Sequence, residues 1–414
     1  MADPVPLLQI IHVTDLHVQK GRGDRAGLAA KDRRLQSWLR EQLEASDAFD
    51  WNVGALGHDE TAASDFERFL RNFRERETVW FSGQEGGPET WLVDTGDATT
   101  SGDPDSLRAA YELLDRWEAI LRPCKVRSLF GNHDAWPGIH PAVAAAGGYE
   151  AAIAQQRGLL RQRDAWHNEH WLQPLTTGTV EGLPRIECYG LNTVRFGRWD
   201  NIRAIGEIEE NDLTELKQKI LNQGDHPAYR VLLTHHPVAF PYLAAERKAK
   251  ALTDKMILRN AADVARQLLN AAPVVPMVTR SPYIHLLLSG HTHFAYPGAA
   301  LPANVKDLYQ GALGRTQAQL VGGSLMLLRA RKAMASAGPA QGPSERAGVP
   351  HFPGAYVFDA SQQFQILRFF HDASVPDGLQ LQRIVMARAP NNPRGYGMFK
   401  PLTSTTFVPY GDSM

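Results

Sequence analysis

The sequence predicts an α/β layered fold, because short apolar runs alternate along the chain with amphipathic helical segments. Six runs are rich in leucine or β-branched residues and lack strict alternation, which is typical of buried strands. These runs are Leu7–Thr14, Thr90–Val93, Lys125–Phe130, Arg185–Leu191, Tyr229–Thr234 and Ile284–Ser289. The segments Ser106–Arg122, Leu213–Leu221 and Ile257–Leu269 place apolar residues three and four apart, as helices with one buried face do.

Composition excludes several classes of protein. A hydrophobic share of 43% leaves no room for wholesale disorder, and a net charge of −1 disfavours an extended nucleic-acid-binding face. No apolar run approaches the roughly 18–20 residues that span a bilayer, and the N-terminus lacks the basic region of a signal peptide. Cys124 and Cys188 lie in or beside apolar runs, which indicates buried thiols. We therefore expect a cytoplasmic protein with no membrane partner.

Two regions depart from the strand–helix alternation. Residues 18–89 form a long insertion between the first two strands, with charged helical stretches at about 30–46 and 60–76. One interpretation of this insertion is a lid. Residues 330–350 are rich in small residues, Pro and Gly, which predicts a flexible loop.

The C-terminal part predicts a domain boundary. Ala355–Asp359 and Phe364–Phe370 resemble a β-hairpin that returns to a sheet. The residues beyond are rich in Pro, Gly and Asn, with little periodicity. We expect a main domain over 1–372 and an extension over 373–414, which wraps over the surface or forms the arm of a homo-oligomer.

Potential metal ligands follow five of the six apolar runs. Ligands of open α/β sheets bind beyond the carboxyl ends of the strands, so we expect these side chains to meet at one edge. The residues are Asp15 and His17, Asp97, Asn132 with His133 and Asp134, His235 and His236, and His291 with His293.

This set of side chains is typical of dinuclear metal chemistry. Two divalent cations about 3.5–4 Å apart can hold both the attacking and the leaving oxygen of a phosphoryl transfer. Carboxylates offset the charge of the cations, and imidazoles suit Zn and Fe. Asp15 and His17 share one face of an extended segment, as do His291 and His293. Asp97 is the natural candidate to bridge two cations.

The blocks D-x-H, G-D, G-N-H-D, H-H-P and G-H-x-H, in this order, resemble the calcineurin-like metallophosphoesterases. The resemblance covers residues 7–17 and 90–330, and the block forms are most similar to the cyclic-nucleotide and glycerophosphodiester phosphodiesterase branch. It implies a four-layer α/β fold, in which two packed mixed sheets are flanked by helices. The alternative to metal ligation is that Asp15 and Asp97 cap the N-termini of helices.

The resemblance also implies the roles of the site residues, with two divalent cations of Mn, Fe or Zn as cofactors. A water or hydroxide held by the cations would attack phosphorus in line, and His133 would stabilise charge or protonate the leaving group. Asp134 or a backbone carbonyl would orient His133, while His236 would contact other ligands or the substrate. The implied ligands are Asp15, His17 and His293 for one cation, Asn132, His235 and His291 for the other, and Asp97 for both; Asn132 would also contact the substrate.

The substrate expected from this resemblance is a small phosphodiester. Protein phosphatases of the family continue the second block as G-D-x-x-D-R-G, whereas Thr100 and Ser101 stand here in place of Asp and Arg. Arg195 and Arg203 follow a strand end and could bind phosphate, although a solvated loop explains them equally well. A phosphomonoesterase, a nuclease and a non-catalytic scaffold are the alternatives.

Two further histidines lie inside apolar strands. We interpret His12 and His285 as core histidines rather than metal ligands.

Overall fold

A computed structural model describes sixteen parts of the 414-residue chain, and every structural statement below refers to them. They are residues 4–18, 60–84, 86–99, 102, 104–135, 158, 170–178, 185–194, 205–223, 228–238, 258–269, 283–291, 318–325, 362–374, 378–388 and 399–407. The predicted helix at 30–46 and the predicted loop at 330–350 lie outside these parts.

The first sheet has six strands in the order β11-β10-β9-β1-β2-β3. Its parallel half is β1 (Val5–Val13), β2 (Glu89–Asp94) and β3 (Lys125–Ser128), and its antiparallel half is β9 (Gln363–His371), β10 (Leu379–Arg388) and β11 (Phe399–Phe407). The parallel half therefore brings the carboxyl ends of three strands to one edge.

The second sheet has five strands in the order β4-β5-β6-β7-β8. They are β4 (His170–Thr176), β5 (Arg185–Leu191), β6 (Ala228–Leu233), β7 (Leu286–Ser289) and β8 (Ala318–Val321), with only the β4–β5 pair antiparallel. All six predicted strands are present, with ends that differ by at most two residues.

The two sheets pack face to face. Side chains alternate across a strand, so Leu8 and Ile10 of β1 contact the second sheet while Ile11 and Val13 face the helices. Both faces of β1 are therefore buried, which explains why its sequence is apolar without alternation. Val231 and Leu286 line the facing side of the second sheet.

Helices cover both outer faces, which completes a helix–sheet–sheet–helix arrangement. The helices are α1 (Glu60–Arg76), α2 (Pro104–Leu121), α3 (Glu210–Asn222) and α4 (Ala261–Val264), the last continuing into a π-helical turn over Ala265–Leu269. α1 and α2 pack on the first sheet, and α3 and α4 pack on the second. The predicted four-layer α/β fold is confirmed. None of the helices in these parts is long and apolar enough to span a membrane.

Helix α1 belongs to the core, although it lies in the predicted insertion. Phe66 is fully buried and its ring lies 4.8 Å from those of Trp117 on α2 and Phe364 on β9. The lid interpretation is therefore wrong for this helix. The predicted stretch at 60–76 matches it residue for residue.

The C-terminal residues are more regular than the sequence predicts. β10 and β11 extend the first sheet, so the expectation of an irregular segment after residue 372 is wrong for 379–388 and 399–407. β9 pairs with β1 and β10, while its predicted partner at 355–359 lies outside the residues described. Alternation of Leu and Gln at the start of β10 was the available signal. The domain boundary at 372 stays a prediction.

Candidate metal centre

The strand ends of both sheets meet at one place. Asp15 and His17 follow β1, Asp97 follows β2, and Asn132 and His133 come shortly after β3. From the second sheet, His235 and His236 follow β6 and His291 follows β7. Three groups have donor atoms within 4.8 Å of one another: His17 with Asp97 and His133, Asp15 with Asp97 and His235, and His235 with His236 and His291.

The backbone is strained at four of the predicted ligands. Asp15, His17, Asp97 and His291 have φ angles of 52°, 50°, 55° and 69°, and no other non-glycine residue in the described parts has a positive φ. Such a conformation costs on the order of 1–3 kcal/mol and clusters at functional sites. Hydrogen bonds hold it in place, since the N–H groups of Asp15 and His17 donate to the carbonyls of Gly96 and Asp97, each at 2.9 Å.

Glycines allow these loops to approach one another. A Cβ on Gly131 would overlap the carboxylate and the backbone nitrogen of Asp97, and one on Gly290 would overlap the Thr14 hydroxyl and the Asp15 carboxylate. Sterics therefore explain why the first residue of the G-N-H-D block and of the G-H-x-H block is glycine.

Histidine 235 presents a lone pair to the site. Its Nδ1 lies 2.9 Å from the carbonyl oxygen of Thr95, which can only accept, so Nδ1 carries the hydrogen. In the neutral ring Nε2 is then an acceptor. It lies 3.1 Å from Asn132 Oδ1, 3.3 Å from Asp97 Oδ2 and 3.2 Å from His291 Nδ1.

These donor atoms fit a divalent cation. Nitrogen and oxygen atoms that carry lone pairs repel each other at such distances unless a proton or a cation lies between them. Asp97 Oδ2 also lies 4.0 Å from His17 Nε2, so it faces both His235 and His17. Carboxylates, an amide oxygen and imidazoles are suitable ligands for Mn, Fe or Zn.

Electrostatics at the site favour positive charge. Burial raises the pKa of Asp15 to about 8, although His235 opposes the shift. Burial alone would raise the pKa of Asp97 and lower that of His235, but their mutual attraction reverses both shifts. The pKa of Asp97 falls well below its usual range and that of His235 rises to about 9. Carboxylates that favour a proton on His235 also favour a metal cation in its place.

The Asp134 side chain joins two of the loops. Its carboxylate accepts hydrogen bonds from the N–H groups of Ala98, Thr99 and Gly131 at 3.1, 2.8 and 3.0 Å, and from the Thr99 hydroxyl at 2.9 Å. These contacts hold the G-D loop against the G-N-H-D loop. They indicate a positioning residue, and the catalytic role of Asp134 stays a prediction.

Histidine 133 borders the site. Its N–H donates to Asp97 Oδ1 at 2.8 Å, and its ring lies edge-on to that of His17 at 4.8 Å. At 7% exposure, His133 is the most exposed of the described candidate residues.

Several hydroxyl groups around the ligands were missed from sequence. The Thr14 hydroxyl donates to Asp15 Oδ2 at 2.7 Å, and the Ser324 hydroxyl donates to the Asp15 carbonyl at 2.6 Å. Thr193 Oγ1 lies 2.7 Å from His236 Nδ1. Adjacency to Asp15 was a signal for Thr14, whereas Ser324 lies 309 positions from Asp15 and gave none.

Three predicted site residues lie outside the part of the chain that the structure describes. They are His293, Arg195 and Arg203.

Comparison with known proteins decides the family. The family model of calcineurin-like phosphoesterases matches residues 8–295, more than half of the chain. The chain belongs to the calcineurin-like phosphoesterase family. Membership makes it a metal-dependent phosphoric ester hydrolase and implies a centre of two divalent cations, which the Asp and His groups above could hold. Among curated proteins, no sequence matches this calcineurin-like phosphoesterase.

Three solved structures are similar to this calcineurin-like phosphoesterase at low identity. Plasmodium GAP50, the anchor in the inner membrane complex, is 12% identical with a TM-score of 0.44, over 99% of this chain and 90% of that one. The calcineurin-like phosphoesterase YfkN from Bacillus subtilis is 12% identical with a TM-score of 0.41, over 98% and 90%. A dimetal phosphatase from Danio rerio is 9% identical with a TM-score of 0.43, over 96% and 99%.

Proposed function

We propose that this enzyme hydrolyses small-molecule phosphodiesters at a centre of two divalent cations. The observation that carries the proposal is the position of Asp97 Oδ2, which faces His17 of one sheet's edge and His235 of the other's. One carboxylate oxygen between two sets of ligands is the arrangement that a bridging residue needs. Asp97 would accordingly help to hold both cations.

The remaining ligands follow from the sheet edges that supply them. The residues after β1, together with His293, would hold the first cation, while the loop after β3, the end of β6 and His291 would hold the second. When bound, two such cations polarise phosphoryl oxygens and make water acidic enough to attack at neutral pH. The assigned ligands are Asp15, His17 and His293 for the first, and Asn132, His235 and His291 for the second.

The protein's own side chains would orient the phosphate and supply the proton. His133 stands beside His17 and is held through its N–H by Asp97, so it is fixed relative to the ligands. We assign to it the proton that the leaving oxygen needs, because an imidazole titrates near neutral pH. Asn132 and His236 would contact the phosphate, and Arg195 and Arg203 are assigned to its outer side.

Preference for a diester rests on the G-D block. Thr100 and Ser101 replace the acidic residue and the arginine of the protein-phosphatase pattern. Thr99 instead binds Asp134 with both its N–H and its hydroxyl. A monoester dianion needs more positive charge from side chains than a diester monoanion, and this block offers no arginine.

Parallel assays with two chromogenic substrates test the proposal. Purified protein loaded with Mn²⁺ is incubated with bis-p-nitrophenyl phosphate or with p-nitrophenyl phosphate, and an EDTA-treated sample is the control. We expect metal-dependent turnover of the diester at a higher kcat/KM than the monoester. A faster monoester reaction would overturn the diester preference, and inactivity with two bound metal equivalents would favour a non-catalytic scaffold.

A further inference from the structure

Four buried polar side chains form a series of hydrogen bonds, here called the relay. The relay leads from the antiparallel half of the first sheet to the edge where the predicted metal ligands lie, here called the metal-facing edge. Arg383 Nε on β10 donates to Gln365 Oε1 on β9 at 2.7 Å. Gln365 Nε2 lies 2.6 Å from His12 Nδ1 on β1, and His12 Nε2 lies 2.9 Å from Thr95 Oγ1 after β2. All four side chains belong to residues that are at most 2% exposed.

Arg383, the first residue of the relay, fixes the direction of every hydrogen bond in it. A guanidinium group can only donate, so Gln365 Oε1 accepts and the amide nitrogen donates to His12 Nδ1. The hydrogen of the neutral His12 ring then lies on Nε2, which donates to Thr95 Oγ1. Burial, aided by the charge of Arg383, lowers the pKa of His12 to about 3, which keeps the ring neutral.

Thr95 connects the relay to a predicted metal ligand. Its carbonyl oxygen accepts the Nδ1–H of His235 at 2.9 Å, and Gly96 and Asp97 follow it directly. Its N–H donates to the Val13 carbonyl at 3.2 Å. A shift of Thr95 would therefore turn the His235 ring and move the bridging carboxylate.

Stability alone does not explain these polar groups. A buried guanidinium loses its hydration, and apolar residues of similar size commonly stabilise a core at least as well. Leu367 and Leu381 on the same two strands are apolar and buried. The polar residues of the relay occur where these strands approach Thr95.

We propose that Arg383, Gln365 and His12 are positioning residues that fix Thr95 and, through its carbonyl, the orientation of His235. This inference rests on the proposed function, because there His235 is a ligand of the second cation. Partners of metal-bound histidines typically change metal affinity 10–100-fold when they are removed. The three residues would act one step further out and set the affinity of that site.

Two substitutions that leave the side-chain volume nearly unchanged each remove a different hydrogen bond of the relay. Gln365→Glu keeps the acceptor for Arg383 but removes the donor to His12, and Thr95→Val removes the acceptor of His12. The matched controls are Gln9→Glu, since Gln9 is a buried glutamine that accepts from Arg368 at 2.9 Å, and Thr90→Val, since Thr90 is a buried threonine that donates to the Trp80 carbonyl at 2.8 Å. Both controls lie away from the metal-facing edge.

Metal affinity and ring tautomers are the readouts. Mn²⁺ or Zn²⁺ alone is titrated into metal-free protein by calorimetry, and imidazole ¹⁵N shifts report the tautomers of His12 and His235. We expect both test variants to bind one of two cations about 10-fold more weakly, with unchanged affinity in the controls. Gln365→Glu should also move the hydrogen of His12 from Nε2 to Nδ1.

The outcomes separate this inference from the proposed function. Wild-type protein that binds two cations, with the same affinity in both test variants, would overturn the relay alone. An equal loss of affinity in the controls would also overturn it, because general destabilisation would then be the cause. Wild-type protein that binds no cation would overturn the proposed function and the relay together. If one test variant is unfolded by circular dichroism, the other decides.

Discussion

Two buried charged regions of this molecule differ in how their charges are balanced. Beneath α1, Asp65 binds Arg388 through contacts of 2.7 and 2.9 Å and also binds Arg68 at 2.7 Å. At the metal-facing edge, the Asp97 carboxylate faces the imidazoles of His17 and His235 at 4.0 and 3.3 Å, and Asp15 lies in one group of donor atoms with Asp97 and His235. In the first region guanidinium groups balance the carboxylate, whereas in the second the carboxylates lie beside imidazoles that could hold a metal cation together with them.

The difference teaches how burial alone is to be interpreted. All four carboxylate and guanidinium groups of Asp65, Arg388, Asp15 and Asp97 belong to residues that are at most 4% exposed. Among the non-glycine residues described, left-handed backbone occurs only at the metal-facing edge. Backbone strain beside buried carboxylates and imidazoles, rather than buried charge alone, therefore indicates function.

The largest expected effect is that of Asp97→Asn. The substitution removes the negative charge that both sets of ligands share, so we expect the loss of both cations and of all measurable hydrolysis. Metal content after gel filtration and turnover of bis-p-nitrophenyl phosphate measure the two effects. Retention of two metal equivalents would contradict the bridging assignment.

His133→Ala should separate catalysis from metal binding. We expect two bound cations and a fall in kcat of about 100–10,000-fold, because a positioned proton donor contributes that much. Metal analysis and steady-state kinetics check this prediction. If the variant loses metal as Asp97→Asn does, His133 is a ligand and its assigned role is wrong.

Arg388→Met should lower stability but leave metal binding and catalysis unchanged. Removal of one partner from a buried ion pair costs about 3–5 kcal/mol, and we expect the lower end of that range because Arg68 still binds the Asp65 carboxylate. We expect this loss in urea unfolding, with unchanged metal stoichiometry and kcat in the folded protein. A selective loss of metal would show that the two charged regions are coupled.

Gly131→Ala should damage the metal centre through sterics. The added Cβ would overlap Asp97, so we expect weaker metal binding and about 1–3 kcal/mol lower stability. Gly178→Ala is the control, because a Cβ there meets nothing within 4 Å. Equal effects of the two substitutions on metal affinity would contradict the close approach of the loops.

The smallest effect concerns a buried histidine far from the metal-facing edge. Burial, aided by Arg230, lowers the pKa of His285 to about 3, and the Arg230 N–H donates to its Nδ1 at 2.9 Å. The unfolded chain binds a proton below about pH 6.5, so stability is lost as pH falls from there towards 3, by up to about 1.4 kcal/mol per pH unit. Urea unfolding of wild type and His285→Gln at pH 7.5 and 5.5 should show a steeper pH dependence in wild type.

The strands, and the meeting of the described candidate side chains at one place, could be predicted because their signals are local. A parallel strand buried on both faces is a continuous apolar run, and each ligand block directly follows or closely trails such a run. Helix α1 was placed correctly, but its packing was not, because Phe364 and Phe399 lie about 300 residues away. β11 was missed for a related reason: its sequence, FKPLTSTTF, contains a proline and few apolar residues, and pairing with β10 defines it.

By itself, the sequence determined the fold class and the candidate ligand types, since apolar periodicity and side-chain chemistry are properties of short segments. Only the tertiary structure decided which atoms face each other. The tautomer of His235, the position of Asp97 between two sheet edges and the relay from Arg383 depend on contacts between distant segments. Such contacts form only when two sheets pack, and no local pattern records the register in which they do so.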